Sequence, residues 1–152
     1  MNKLDLLKRC EYFRQLSEQE LQQLAEMTHE EAYDVGECLG KQGRLEEKLF
    51  LIEDGLVGLY LELGPMSERL IQSASSYELV GLGAVLQNHR YTVTMKAIET
   101  TKALVFNGKE LVGLCDTNPS ISCKIYRAIA GAIATRLKSA YTQLMGMTMH
   151  EY

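Results

Sequence analysis

The sequence predicts a mainly-β fold with helices at both ends, and three observations lead to this prediction. Apolar residues near the N-terminus recur at helical spacing, and the middle of the chain is a series of short apolar runs broken by single glycines. A long apolar stripe of helical period then follows Pro119. We expect a helical piece over residues 1–30, strands over residues 31–107 and a final helix over residues 118–145.

The N-terminal helix is predicted from spacing and from a capping box. Ser17 and Glu20 are three residues apart, so each side chain can bond the backbone N–H of the other and start a helix. This helix should run to about Met27. Around this start, residues Phe13, Leu16, Leu21, Leu24 and Ala25 recur at helical spacing.

Strands are predicted from Glu31 to Phe106 because single glycines there punctuate apolar runs. Gly64 and Pro65 mark the turn of one hairpin, with strands at residues 57–63 and 69–74. Glu99, Thr100 and Thr101 mark a second turn.

The stretch from Val80 to Ala97 has the features of a phosphate-binding turn. Gly81, Gly83 and Ala84 leave room for a ligand to approach the backbone. Residues 84–86 could form one helical turn whose N–H groups point at an anion. The following residues alternate as a strand does, so the turn is anchored in a sheet. A plain tight loop between strands would have the same composition.

Glycine and apolar landmarks in order extend this pattern over residues 10–145: Tyr33-x-x-Gly36-Glu37, Gly43, Leu49-Phe50-x-Ile52-x-x-Gly55-x-Val57, and Gly81 with the turn that ends at Ala97. This set resembles the cyclic-nucleotide-binding domain, and in particular the sensor half of the bacterial catabolite-activator and anaerobic-regulator (Crp/Fnr-like) transcription factors. The resemblance implies an eight-stranded antiparallel jelly-roll (double-stranded β-helix) barrel. It also implies a signalling role, with a ligand pocket and a long C-terminal dimer helix.

Two polar residues of the family's phosphate cassette are replaced in this sequence. The family places a Glu for the ribose where this chain has Leu82, and an Arg for the cyclic phosphate where it has Tyr91. Arg90 lies one residue early, and strand alternation would point it away from the pocket unless the loop carries a bulge. Tight cAMP binding by the usual mode is therefore not expected. Candidate pocket residues are Gly81, Leu82, Gly83, Ala84, Val85, Arg90, Tyr91, Thr92 and Thr94.

Three interpretations of the pocket follow. The domain could sense a different small anionic ligand, bind cAMP or cGMP weakly through Arg90, or serve without a ligand as a dimerisation or protein-docking module. In each case the final helix, capped by Asn118 with Pro119 at its first position, is expected to pair with its twin. The alternative is that it packs only on its own barrel. The candidate homodimer interface comprises Ile125, Ile129, Ile133 and Leu137.

Composition favours a single domain over residues 1–152. The chain is 46% hydrophobic and 24% charged, without an apolar run long enough to span a membrane or an N-terminal secretory signal, so a cytoplasmic location without membrane contact is expected. Its net charge of −4 divides into −8 over residues 1–79, with 16 acids and 8 bases, and +4 over residues 80–152, with 4 acids and 8 bases. The chain stops where the resembled regulators continue into a DNA-binding domain, so no nucleic-acid binding by this chain alone is expected.

No enzyme is predicted. The four cysteines form no C-x-x-C pair, and the three histidines are far apart, which disfavours a metal centre. Nucleophile-elbow, P-loop and dinucleotide-binding motifs are also lacking in the sequence. A haem sensor would need an axial ligand such as Cys38 or His89. No cofactor is assigned beyond a cyclic nucleotide or another small anionic ligand.

Overall fold

The structure, a computed structural model, describes residues 1–150 and the side chains of residues 1–146, so the end of the predicted domain, residues 151–152, lies outside the described residues. The N-terminal region contains α1 (Lys3–Arg9), a 3₁₀ helix (Glu11–Phe13) and α2 (Glu18–Glu26). The predicted capping box is confirmed. The Ser17 Oγ accepts the Glu20 N–H at 3.1 Å, and the Glu20 carboxylate accepts the Ser17 N–H at 2.9 Å.

Eight strands follow among the described residues, and they form two antiparallel sheets of four. Their order is β1-β8-β3-β6 in one sheet and β2-β7-β4-β5 in the other, which confirms the jelly-roll architecture. The strands are β1 (Thr28–Tyr33), β2 (Cys38–Gly40), β3 (Lys48–Asp54), β4 (Val57–Gly64), β5 (Ser67–Ala74), β6 (Leu79–Val80), β7 (Thr94–Ala97) and β8 (Thr101–Asn107). The first strand begins three residues earlier than predicted, because Thr28 already pairs with Phe106 of β8.

The β3 strand has four consecutive buried residues because both of its faces are covered. Phe50 and Ile52 point into the barrel, where they join a core between the two sheets. Leu49 and Leu51 point outward into a second core beneath the helices. A strand buried on both faces loses the polar alternation of an exposed sheet, which accounts for its continuous apolar run.

The predicted hairpin is confirmed, with β4 and β5 joined at Gly64 and Pro65. After β8 the chain forms α3 (Gly108–Thr117), which the sequence pattern did not single out, and α4 (Pro119–His150). As predicted, α4 begins at Pro119, and the Asn118 Oδ1 caps it by accepting the Ile121 N–H at 3.2 Å.

The apolar stripe of α4 is divided between two environments. Ile125 and Ile129 are 1% and 5% exposed, because the first half of α4 packs against the protein's own helical core. Ile133 and Leu137 are 50% and 49% exposed. This corrects the predicted interface, since Ile125 and Ile129 are covered within one chain and only the second half of the stripe faces outward.

Within the described part of the chain, no helix combines the length and the apolar character that crossing a membrane requires.

Candidate functional site

A cavity of about 440 Å³ lies where the glycine turn after β6, the segment leading into β7, and α4 meet. Most of its wall is apolar, and a few polar side chains are placed among the apolar ones. The lining residues are Glu46, Leu59, Val80, Gly81, Leu82, Gly83, Val85, Leu86, His89, Tyr91, Thr92, Val93, Met95, Tyr126, Ile129, Ala130, Ile133 and Arg136.

The turn after β6 contains a short 3₁₀ helix at Leu82–Val85, here called the cassette helix. It begins two residues earlier than the turn predicted at residues 84–86, because Gly81 adopts a left-handed conformation (φ 78°) directly after the strand. A side chain at residue 81 would also be blocked, since its Cβ would lie 2.3 Å from the Lys48 carbonyl oxygen. The turn therefore presents Leu82 and Gly83 to the cavity.

Tyr91 lies inside the barrel, 7% exposed, and joins the core between the two sheets. Its ring passes so close to Gly40 that a Cβ there would lie 2.4 Å from the Tyr91 Cζ. Burial, and then the negative charges of Glu46 and Glu47, raise the pKa of the Tyr91 phenol. The hydroxyl is therefore uncharged at neutral pH.

Arg90 lies outside the cavity. It is exposed, its guanidinium donates to the Gly43 carbonyl oxygen at 2.8 Å, and its backbone forms an isolated β-bridge with Leu45. The guanidinium is therefore held against the loop before β3 and does not line the cavity.

Of the other candidate pocket residues, some line the cavity and two do not. Gly81, Leu82, Gly83, Val85 and Thr92 line the cavity with Tyr91. Ala84 is buried toward the helical core instead, and the Thr94 hydroxyl is buried and accepts the Gln42 N–H at 3.0 Å.

Sequence reasoning missed two groups of cavity residues. Glu46 and His89 lie in loops, where no periodicity marks a residue as inward-facing, and they bond to each other at 2.9 Å. Tyr126, Ala130 and Arg136 come from α4. Their helical spacing to Ile129 and Ile133 could have suggested a shared surface, but not that it covers the barrel.

Arg136 contributes a guanidinium to the cavity wall, and this group is already hydrogen-bonded within the protein. It donates to the Leu79 carbonyl oxygen at 3.3 Å and to the Gln72 side-chain oxygen at 3.4 Å. Burial lowers the pKa of Arg136. The negative charge of the Glu78 carboxylate, 3.9 Å from the guanidinium, partly offsets this effect. This residue therefore connects α4 to β5 and β6. Among the residues with described side chains, no cluster of three His, Cys, Asp or Glu could hold a metal ion.

Comparison with known proteins identifies the fold. The family model described as "Cyclic nucleotide-binding domain" matches residues 30–118. A protein named "Putative potassium channel protein" from Rhodopseudomonas palustris is 25% identical over 141 residues, which cover 93% of this chain and 34% of that protein. The chain thus spans about a third of the length of this curated relative.

Solved structures give the same fold at low sequence identity. A cyclic nucleotide-binding domain from Methylobacillus flagellatus superposes with a TM-score of 0.83 at 16% identity, covering 95% of this chain and 82% of that chain. The catabolite activator protein of Thermus thermophilus superposes with a TM-score of 0.72 at 23% identity, covering 90% of this chain and 62% of that chain. Regulators of the Crp/Fnr type are thus among the structural neighbours.

Proposed function

Because this chain belongs to the cyclic nucleotide-binding domain family, we propose that it is a regulatory domain that senses a small molecule held between the cassette helix and α4. The cavity volume of about 440 Å³ suits a small ligand. Since α4 forms one wall, a ligand that contacts Tyr126 or Ile133 also contacts the helix that continues beyond the barrel. Ligand binding would in this way be coupled to the position of α4.

The burial of Tyr91 is the observation that carries the proposal. Tyr91 stands where the sequence resemblance expects the phosphate-binding arginine; its phenol is buried and uncharged, and Arg90 is bonded outside the cavity. Losing a guanidinium contact to phosphate costs about 1.5 to 3 kcal/mol of binding free energy. Leu82 also leaves the ribose hydroxyl without an acceptor. We therefore propose that the domain does not bind cyclic nucleotides through the usual contacts.

The chemistry of the wall favours an uncharged, mainly apolar ligand over the anionic one that the sequence predicted. Apolar surface comes from β4, from β7 and the residue before it, and from α4, through Leu59, Met95, Val93 and Ile129. The charged groups of the wall are engaged in hydrogen bonds within the protein, so a charged ligand group would lose hydration without a ready partner.

An uncharged fluorescent probe, N-phenyl-1-naphthylamine, tests the cavity directly. We expect its emission to rise on binding to the wild-type chain and to a control variant Ala134→Trp, in which the changed residue is exposed and outside the cavity lining. Ala130→Trp should abolish the signal, because Ala130 lines the cavity from α4 and a larger side chain would fill it. Millimolar cAMP should displace no probe. Micromolar displacement by cAMP, or equal probe binding by both tryptophan variants, would refute the proposal.

We also propose that the chain forms a homodimer through α4. The exposed second half of the α4 stripe, Ile133 and Leu137, together with the exposed Tyr126 and Tyr141, offers apolar surface that a second copy could bury. The same stripe supports an alternative function, a dimerisation or docking module that acts without a ligand. The probe experiment separates the two functions, because only the sensor requires an accessible cavity.

A further inference from the structure

Glu46 is a buried carboxylate that bonds directly to the cassette helix. Its side chain is 7% exposed, its Oε2 accepts the Gly83 N–H at 3.0 Å, and its Oε1 lies 2.9 Å from the His89 Nδ1. The pair packs on Gly83 itself, since a Cβ at residue 83 would lie 2.5 Å from the Glu46 Oε1. The Gly83 N–H, which faces this side of the cavity, therefore already donates to a carboxylate of the protein.

The position of Glu46 is fixed by backbone hydrogen bonds. The Glu46 N–H donates to the His89 carbonyl oxygen, the Tyr91 N–H to the Arg44 carbonyl oxygen and the Gly43 N–H to the Tyr91 carbonyl oxygen, each at 2.9 Å. These three bonds tie the loop before β3 to the segment that carries Tyr91. Glu46 is thus held against the cassette helix by the fold, in contrast to its neighbour Glu47, whose side chain is exposed.

The negative charge of Glu46 acts on the residues around it. After burial, the charge of Glu46 is the largest contribution to the raised pKa of Tyr91. Any ligand anion in this part of the cavity would meet the same charge at short range in a poorly hydrated environment, where repulsion is strong. The Gly83 N–H that could offset this repulsion is already bonded.

We propose that Glu46 determines the specificity of the cavity, its carboxylate taking the place of a ligand's anionic group at the cassette helix and excluding phosphate-bearing ligands. This inference rests on the proposed function of the cavity and names the residue that selects its ligand class. It implies that restoring an arginine at position 91 does not suffice for phosphate binding, because Glu46 would pair with the new guanidinium.

The test measures cAMP affinity by isothermal titration calorimetry in three variants. We expect Tyr91→Arg alone to bind weakly, and the addition of Glu46→Ala to raise the affinity at least tenfold. Addition of Glu47→Ala instead should change it less than twofold, since it removes the same charge one residue away without a side-chain contact to the cassette helix. If Tyr91→Arg binds cAMP equally well with and without Glu46→Ala, the inference is overturned.

Glu46→Gln provides a second arm in case the alanine variant does not fold. Its amide keeps an acceptor for the Gly83 N–H and removes only the charge, so in the Tyr91→Arg background we expect at least a threefold gain in cAMP affinity. An unchanged affinity in this folded variant contradicts the inference. The naphthylamine probe reports separately on the cavity: if it fails to bind, the proposed sensor function fails, whereas an absent cAMP gain with normal probe binding removes only the role of Glu46.

Discussion

The ring of Tyr91 lies over Gly40 of β2, where no β-carbon could be accommodated without displacing it. This contact lets a bulky aromatic side chain enter the barrel from the segment before β7. It also connects the short strand β2 to the wall of the cavity. Gly40 and Tyr91 therefore form one packing unit, although 50 residues separate them in the sequence.

Gly40→Ala should destabilise the protein by about 1 to 3 kcal/mol, because the added methyl group overpacks the site and forces the Tyr91 ring to move. Urea unfolding followed by circular dichroism would measure the change. A matched control is Gly113→Ala in α3, where an added Cβ meets no atom within 4 Å. This control should be as stable as the wild type or more so, since alanine favours a helix. Equal midpoints for Gly40→Ala and wild type would disprove the contact.

Much of the fold could be predicted from the sequence because it depends on local patterns. The capping box at Ser17, the hairpin at Gly64 and Pro65 and the start of α4 at Pro119 each follow from a few neighbouring residues. The jelly roll was predicted from the resemblance of the glycine and apolar landmarks to a known domain family, whereas the pattern alone predicted only a series of strands. These patterns did not reveal α3, although Asn107 caps it by accepting the Glu110 N–H, because the apolar residues around it were interpreted only as the end of the strand region.

The chemistry of the cavity could be predicted less well, because it depends on contacts between distant loops. Glu46 reaches Gly83 across 37 residues of sequence, and no spacing rule relates the two. The α4 stripe raises the same difficulty. Its period is uniform from Ile125 to Leu137, and only the end of the helical core beneath it decides which part is covered.

The homodimer can be tested at the exposed half of that stripe. A double variant, Ile133→Asp with Leu137→Asp, should raise the dimer dissociation constant at least a hundredfold, since burying each side chain is worth about 1.5 to 3 kcal/mol. Sedimentation velocity over a range of concentrations would measure it. Thr142→Asp, an exposed change on another face of α4, should leave association intact. A wild-type chain that sediments as a monomer at high concentration would remove the homodimer from the proposal.

Arg136 provides a test of how α4 is attached to the barrel. Arg136→Lys keeps the charge but cannot reach both the Leu79 carbonyl and the Gln72 side chain with one forked group, so we expect a loss of about 1 to 2 kcal/mol of unfolding free energy. Amide exchange in the second half of α4 should become faster. Arg127→Lys, an exposed change on the same helix, should alter neither quantity. Slow exchange retained in Arg136→Lys would mean that other contacts hold the helix.

Glu31 on β1 should make stability depend on pH in the acid range. Burial opposes its ionisation, but hydrogen bonds from Tyr33, His29 and Lys48 outweigh this effect and lower the pKa of Glu31 to about 2. The His29 Nε2 lies 2.5 Å from one carboxylate oxygen, and the Lys48 Nζ 3.0 Å from the same oxygen. Because the pKa is lower in the folded chain than the ordinary value of 4.5, the ionised carboxylate stabilises the fold above about pH 5.

That contribution, about 1 to 3 kcal/mol, should be lost progressively as the pH falls from about 4.5 through 2, where folded and unfolded chains both become protonated. Glu31→Gln should therefore be less stable than wild type at pH 7 and should lose less stability on acidification. Glu30→Gln, an exposed change on the same strand, controls for the removal of one charge. Urea midpoints measured at intervals from pH 7 to pH 2 give the comparison. Parallel curves for wild type and Glu31→Gln would mean that the bonds to Glu31 do not favour its ionised form.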